Sequence, residues 1–205
     1  MVLLGLAALA LLTRRRPTDI EWDDGWVWPV PPMRPWKGGP VYNPEVSQEF
    51  RDPDHLGVDI MYRRKGPADL VQSFRPGTPD GISKWFAPAR TPIIAARAGR
   101  IWSAQRTERG YAVVVDHGKP FATFYQHLES LAMPLHSQGL NVNTGTASYV
   151  TVGQPLGIMG FDPTDPRRLR HLHFAVWYQG GGDDASVDCV NAMAKWPRVP
   201  WAFIP

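Results

Sequence analysis

Leu169-Arg170-His171-Leu172-His173-Phe174-Ala175-Val176-Trp177 reads as a β-strand. Its residues are bulky, aromatic or β-branched, and polar and apolar positions nearly alternate around the two histidines. Side chains along a strand alternate between its faces. His171 and His173 therefore point the same way, with Cα atoms roughly 6–7 Å apart. Two imidazoles on one face can share a site, one binding a metal while the other acts as acid, base or oxyanion donor. The competing reading is one hydrogen-bonded core histidine beside one exposed histidine. What else converges on the pair decides between them.

The chain has 205 residues, enough for one ordinary domain with extensions. Hydrophobic residues make up 43% and charged residues 20%, so a packed core is feasible. Pro 21, Gly 19 and Trp 9 point to many turns and many aromatic anchors, hence a β-rich, loop-rich protein rather than a helical bundle. The formal net charge of +3 suits an anionic polymer such as a cell wall. It lacks the concentrated basic stripe of a nucleic-acid binder, and no nucleic-acid partner is expected. The single cysteine, Cys189, excludes an intrachain disulfide.

Residues 2–12 are continuously apolar and are followed by Arg14, Arg15 and Arg16. As a helix, this run spans about 16 Å, short of a hydrocarbon core about 30 Å thick. Its length suits a signal-peptide core, but the basic residues follow the apolar run instead of preceding it. Residues 1–16 thus read as a signal-like or anchoring segment, a segment dipping into a membrane, or a helix against another protein. Residues 17–48 carry Trp22, Trp26, Trp28 and Trp36 among many prolines. Proline forbids long regular structure, and tryptophan argues against a solvated linker. An extended arm on the domain or on a partner is expected, with a membrane-interface belt as the other reading.

Residues 49–62 contain His55-x-x-x-Asp59. Pro53 and Gly57 disfavour a helix, and a straight strand would hold the two about 13 Å apart. They meet only if the backbone bends, a freedom assigned to Gly57. Residues 63–90 and 133–151 read as long loops, of the kind that border binding sites. Between them TPIIAA, GRIWSAQ, YAVVVDHG and PFATFYQHL read as a consecutive antiparallel meander. His127 closes the last strand, His117 reads as a turn residue, and His136 receives no role. VTVGQPLGIMG is a further strand. Arg167, Arg168 and Arg170 form either a solvated loop or a carboxylate-holding patch. The tail 180–205 is expected to wrap onto the body through Trp196 and Trp201.

A catalytic zinc site takes three protein ligands and keeps one open position. His55, Asp59 and one of His171 and His173 would supply that set. In order, the chain presents His55-Leu-Gly-Val-Asp59, Thr91-Pro-Ile-Ile-Ala-Ala, Tyr125-Gln-His127-Leu128, Gly153-Gln-Pro-Leu-Gly157 and His171-Leu-His173-Phe174. Over about residues 49–177 it resembles the lysostaphin/LytM-type zinc endopeptidases of peptidoglycan. That resemblance implies a mainly β fold, a small antiparallel sheet domain with long groove-forming loops, over residues 49–179. It implies one zinc per chain held by His55, Asp59 and His173, with His127 and His171 as unliganded catalytic histidines. Tyr125 and Arg170 are the expected substrate contacts. Two departures stand out: Arg-Arg-Leu-Arg replaces the usual glycine-containing turn before His171, and Ala175 stands where a Glu commonly follows the Phe.

The activity so implied is hydrolysis of peptide bonds in peptidoglycan by a zinc-activated water. The alternative is a non-catalytic relative that binds cell wall or activates another hydrolase. The cell envelope is the expected location, membrane-anchored or free, with a virion-associated protein as the other possibility. Residues 1–48 are the expected contact for a membrane or protein partner.

Overall fold

The closing strand that organises the chain buries one of its faces completely. In the computed structural model, which describes residues 20–34, 40–63, 85–133 and 146–200, β10 runs Leu172–Tyr178. Leu172, Phe174 and Val176 on one face are fully buried. Each such side chain contributes about 1.5–3 kcal/mol by leaving water. His173, Ala175 and Trp177 point to the other face, where Ala175 and Trp177 join a small separate cluster with Val114 and Ala122.

Around β10 the chain forms one antiparallel sheet of eleven strands, mainly β as the sequence implied. The others are β1 (Pro44–Gln48), β2 (Val58–Arg63), β3 (Trp85–Phe86), β4 (Pro92–Ile94), β5 (Gly99–Thr107), β6 (Gly110–Asp116), β7 (Phe121–Leu131), β8 (Tyr149–Val150), β9 (Pro155–Met159) and β11 (Ser186–Val187). The main path is β1-β2-β10-β7-β6-β5-β8. The only α-helix among the described residues is one turn, α1 (Val190–Met193).

The expected meander is real for β5, β6 and β7. TPIIAA departs from it: β4 pairs with β9, setting Ile93 opposite Gly157. That pairing buries Ile93 and Ile94 completely, which a solvent-flanked hairpin position would not. The sheet also extends upstream of residue 49, because β1 pairs with β2 along Pro44–Gln48.

The arm and tail cover the core face. Trp26 stacks on Trp196, ring centroids 4.9 Å apart and 13° between planes, and Trp28 Nε1 donates to Met193 O at 2.9 Å. Prolines cannot donate, so their neighbours and carbonyls do the pairing. Val27 N donates to Ala96 O, Ile94 N to Pro29 O, and the Tyr62 hydroxyl to Pro31 O at 2.7 Å. Residues 1–16, Trp36, Trp201, His136 and most of the two long loops lie outside the described residues.

Candidate metal centre

With the core face closed by arm and tail, the opposite face of β2, β10 and β7 floors a cavity of about 670 Å³. Asp59 and His173 are register partners on β2 and β10, so both project into it. His55 arrives from the preceding turn, tied back by reciprocal backbone bonds between Arg51 and His55. Gly57 makes this approach possible by its lack of bulk. A Cβ there would lie 2.7 Å from Phe174 O and 2.8 Å from the His173 ring. Its φ is not in the left-handed region, so the expected freedom to bend is not what glycine supplies here.

Three donor atoms converge. His55 Nε2 is 3.1 Å from Asp59 Oδ1, His173 Nδ1 is 3.1 Å from the same oxygen, and the two nitrogens are 3.2 Å apart. Tetrahedral ligands at zinc's usual bond lengths stand about 3.3 Å apart, so the set matches in size and kind. The neutral His55 ring satisfies the arrangement poorly. His55 Nδ1 lies 2.8 Å from Glu49 O, which can only accept. Neutral His55 therefore turns a bare Nε2 lone pair toward a carboxylate. A cation resolves that opposition. In the protein without one, burial lowers the His55 pKa, but the bonds to Asp59 and Glu49 outweigh it and the net shift is upward. Burial pushes the Asp59 pKa up, but hydrogen bonds from His173 and His55 hold it well below the carboxylate range.

His127 and His171 form a second pair beside the first, ring centroids 4.5 Å apart. Each has Nδ1 on a backbone carbonyl, His127 on Arg109 O at 2.9 Å and His171 on Leu169 O at 2.9 Å. In the neutral ring Nδ1–H donates to that carbonyl and Nε2 is left as the acceptor. His171 Nε2 lies 4.0 Å from Asp59 Oδ2. Burial, then the neighbouring His171, lowers the His127 pKa to about 4, so its ring is neutral at pH 7. Gly160 ties the pair together: its N–H donates to His127 O at 2.6 Å and its carbonyl accepts from His171 N at 3.2 Å.

His127 reaches the cavity through a bulge. Two steps along β6, Tyr111 to Val113, face three along β7, Leu128 to Tyr125. Strict alternation would put His127 on the core face with Tyr125. Its φ of 69° turns it outward instead, so that Gln126 and His127 both line the cavity. Bulges re-aim side chains in this way.

Both expected substrate contacts lie outside the cavity lining. Tyr125 is fully buried in the core, and its hydroxyl accepts from Ala96 N at 2.9 Å. Alternation places it opposite the cavity-facing Phe124 and Gln126. Arg170 binds Glu129 at 2.5 Å and Met159 O at 2.7 Å, and does not line the cavity. Arg109, Asp162, Asp165 and Arg167 do. Asp162 has its pKa lowered, chiefly by hydrogen bonds from Thr164 that outweigh burial. Sequence reasoning overlooked Phe124 and Gln126, which alternation from His173's facing strand would have found. No sequence signal marks the carbonyls of Glu49, Arg109 and Leu169 as anchors.

Residues 80–185, just over half of the chain, match the family profile for peptidase family M23. The match begins downstream of His55 and Asp59, which the fold itself brings to His173. The Escherichia coli protein described as "Uncharacterized lipoprotein YgeR" is 32% identical over 112 residues, 52% of this chain. The match spans 39% of that relative's length. Among solved structures, the SpoIIQ–SpoIIIAH pore forming complex has a chain alike at TM-score 0.51 and 16% identity. The alignment covers 82% of this chain and 90% of that one, and the likeness is one of fold. The catalytic domain of the antimicrobial peptidase lysostaphin from Staphylococcus simulans aligns at TM-score 0.46 and 19% identity, over 75% of this chain and 93% of its own.

Proposed function

The chain belongs to peptidase family M23, and from that premise we propose that it is a zinc-dependent endopeptidase that hydrolyses peptide bonds in peptidoglycan. One observation carries this reading: the donor atoms of His55, Asp59 and His173 converge beside a second histidine pair whose Nε2 atoms are left as acceptors. Bound there, a zinc ion supplies Lewis acidity for water activation at neutral pH.

The remaining steps belong to the chain's own groups. His127, neutral at pH 7, accepts a proton at Nε2 as water adds to the scissile carbonyl carbon. It returns that proton to the amine nitrogen as the C–N bond breaks. His171, when it carries a proton on Nε2, donates to the oxygen that gains charge in the tetrahedral state. Arg109 O, Leu169 O and Gly160 hold both rings in place, so little reorganisation is needed during the reaction. Phe124 and Leu56 give the cavity apolar wall beside the metal ligands, which limits water around the reacting bond. A cell-envelope location is supported by the lipoprotein named among the relatives.

A second reading is favoured by the fold likeness to a chain of the SpoIIQ–SpoIIIAH complex: a non-catalytic module that assembles with another protein or holds the wall. Zinc content and digestion of several purified walls, measured on the full chain with and without chelator, separate the two. About one zinc per chain, with activity lost to chelator and restored by zinc, is expected. Metal-free protein, or wall binding untouched by His55→Ala with no cleavage at all, would sink the peptidase reading.

A further inference from the structure

The two most exposed large apolar side chains among the described residues lie on adjacent strands. Trp102 on β5 is 54% exposed and Tyr149 on β8 is 70% exposed. Arg100, also exposed, is the register partner of Tyr149 and lies two residues before Trp102. Tyr149 lies across the strand from Arg100 and Trp102 lies along it, so the three residues form a corner at the β8 end of the sheet's main path. Trp102 owes its position to a bulge: Ile101 pairs with Val115 and Ser103 with Val114, leaving Trp102 as the extra residue.

The indole is held in place from one side. A Cβ on Gly181 would meet Trp102 at 3.1 Å and Trp177 at 3.8 Å, so the glycine packs close to both rings. The segment that begins there continues to Asp183, which lines the catalytic cavity. Trp177 stacks on Phe124 of the cavity wall, centroids 5.4 Å apart. One short segment, from Gly181 to Asp183, thus separates Trp102 from the cavity lining. A rigid aromatic platform loses little freedom on binding, which favours its use as a recognition surface.

We propose that Trp102, Arg100 and Tyr149 form a corner that binds a polysaccharide strand, a proposal that rests on the peptidoglycan reading above. The apolar C–H faces of sugar rings pack on indole and phenol rings, while hydroxyl and carboxylate groups meet the guanidinium. The polymer attached to the scissile peptide would then leave the cavity past Asp183 and run along this edge. A polyphosphate strand is disfavoured, because the arginines that line the cavity, Arg109 and Arg167, are paired with Asp162 and Asp165, and Asp54 and Glu108 add negative charge there.

The test is calorimetric titration of the full chain with an N-acetylglucosamine oligosaccharide, which carries sugar and no peptide. Trp102→Ala and Tyr149→Ala are each expected to weaken binding about tenfold. Both variants should cleave a soluble peptide at the wild-type rate and intact wall several-fold more slowly. Their thermal midpoints should match wild type. If Trp102→Ala loosens the Gly181 segment, Tyr149→Ala still decides the matter. No binding of the oligosaccharide, binding indifferent to both substitutions, or binding of a single-stranded oligonucleotide in preference to the sugar would overturn the proposal. A protein that binds the sugar through these residues but cleaves no peptide would keep the corner and sink the peptidase reading. One that cleaves wall regardless of both substitutions would do the reverse.

Discussion

His117 and His127 begin from the same physics and end in different roles. Each sits at an end of the β6–β7 pair, each has Nδ1 on a backbone carbonyl, and burial lowers the pKa of each to about 4. His117 then uses its second nitrogen. Its Nε2 lies 2.8 Å from Thr123 Oγ1, Thr123 lies 3.1 Å from the Tyr125 hydroxyl, and that hydroxyl accepts from Ala96 N. Every polar atom in this chain has a partner, and Trp26 closes it edge-on, centroids 5.4 Å apart. His127 Nε2 instead faces a cavity beside a candidate metal site. Burial and a lowered pKa therefore do not mark a catalytic group by themselves. A nitrogen left without a protein partner, in a cavity beside a candidate metal site, is what sets His127 apart as a candidate.

Substitution of the two histidines should separate these roles most sharply. His127→Ala is expected to cut kcat by about 10²–10⁴-fold, with zinc content and thermal midpoint close to wild type. A drop under tenfold would move the proton chemistry elsewhere. The next effect concerns the route by which His55 reaches the site. Gly57→Ala forces a methyl group against Phe174 O and the His173 ring. Zinc affinity, measured by competition with a chelating dye, should fall about 10–100-fold; unchanged affinity would show that the turn can shift freely.

His117→Ala should leave peptide cleavage near wild type and cost about 1–3 kcal/mol of stability by orphaning Thr123 and the Ala98 carbonyl. It should also change the pH dependence. Unfolded His117 takes up a proton near pH 6.5, folded His117 only near pH 4. Its contribution is full above pH 6.5, falls as pH drops through that window, and is gone below about pH 4. Denaturant melts in chelator at several pH values should therefore show a shallower loss between pH 6.5 and 4 in the variant; parallel curves would contradict the role. The smallest effect is expected for Arg170→Ala. Its partners are Glu129 and Met159 O, and peptide cleavage should change less than about threefold, as for other partly exposed ion pairs. A large rise in KM would restore Arg170 as a substrate contact.

The legible part of this protein was its chemistry-bearing strands. The alternation of His171-Leu-His-Phe-Ala-Val-Trp fixed which residues of β10 face the core, because period-two alternation follows from local backbone geometry. The mainly β, antiparallel character followed from turn residues and β-branched runs for the same local reason. His55 and Asp59 stood out by type and spacing, yet their meeting point with His173 is set by cross-strand register between β2 and β10, a nonlocal quantity. In a regular strand the Tyr-x-His spacing would put Tyr125 and His127 on one face. The bulge at His127 breaks that parity, and its cause lies in how β6 and β7 are paired.

The sequence by itself therefore determined the strand faces, the family and the identities of the candidate ligands, all consequences of residue type and near-neighbour spacing. Tertiary structure alone decided the partner of β4, the outward turn of His127, the clearance that requires glycine at 57, and the carbonyls that hold Nδ1 of His55, His127 and His171. Those depend on which distant backbone atoms come within hydrogen-bond or van der Waals reach, and no local pattern encodes them.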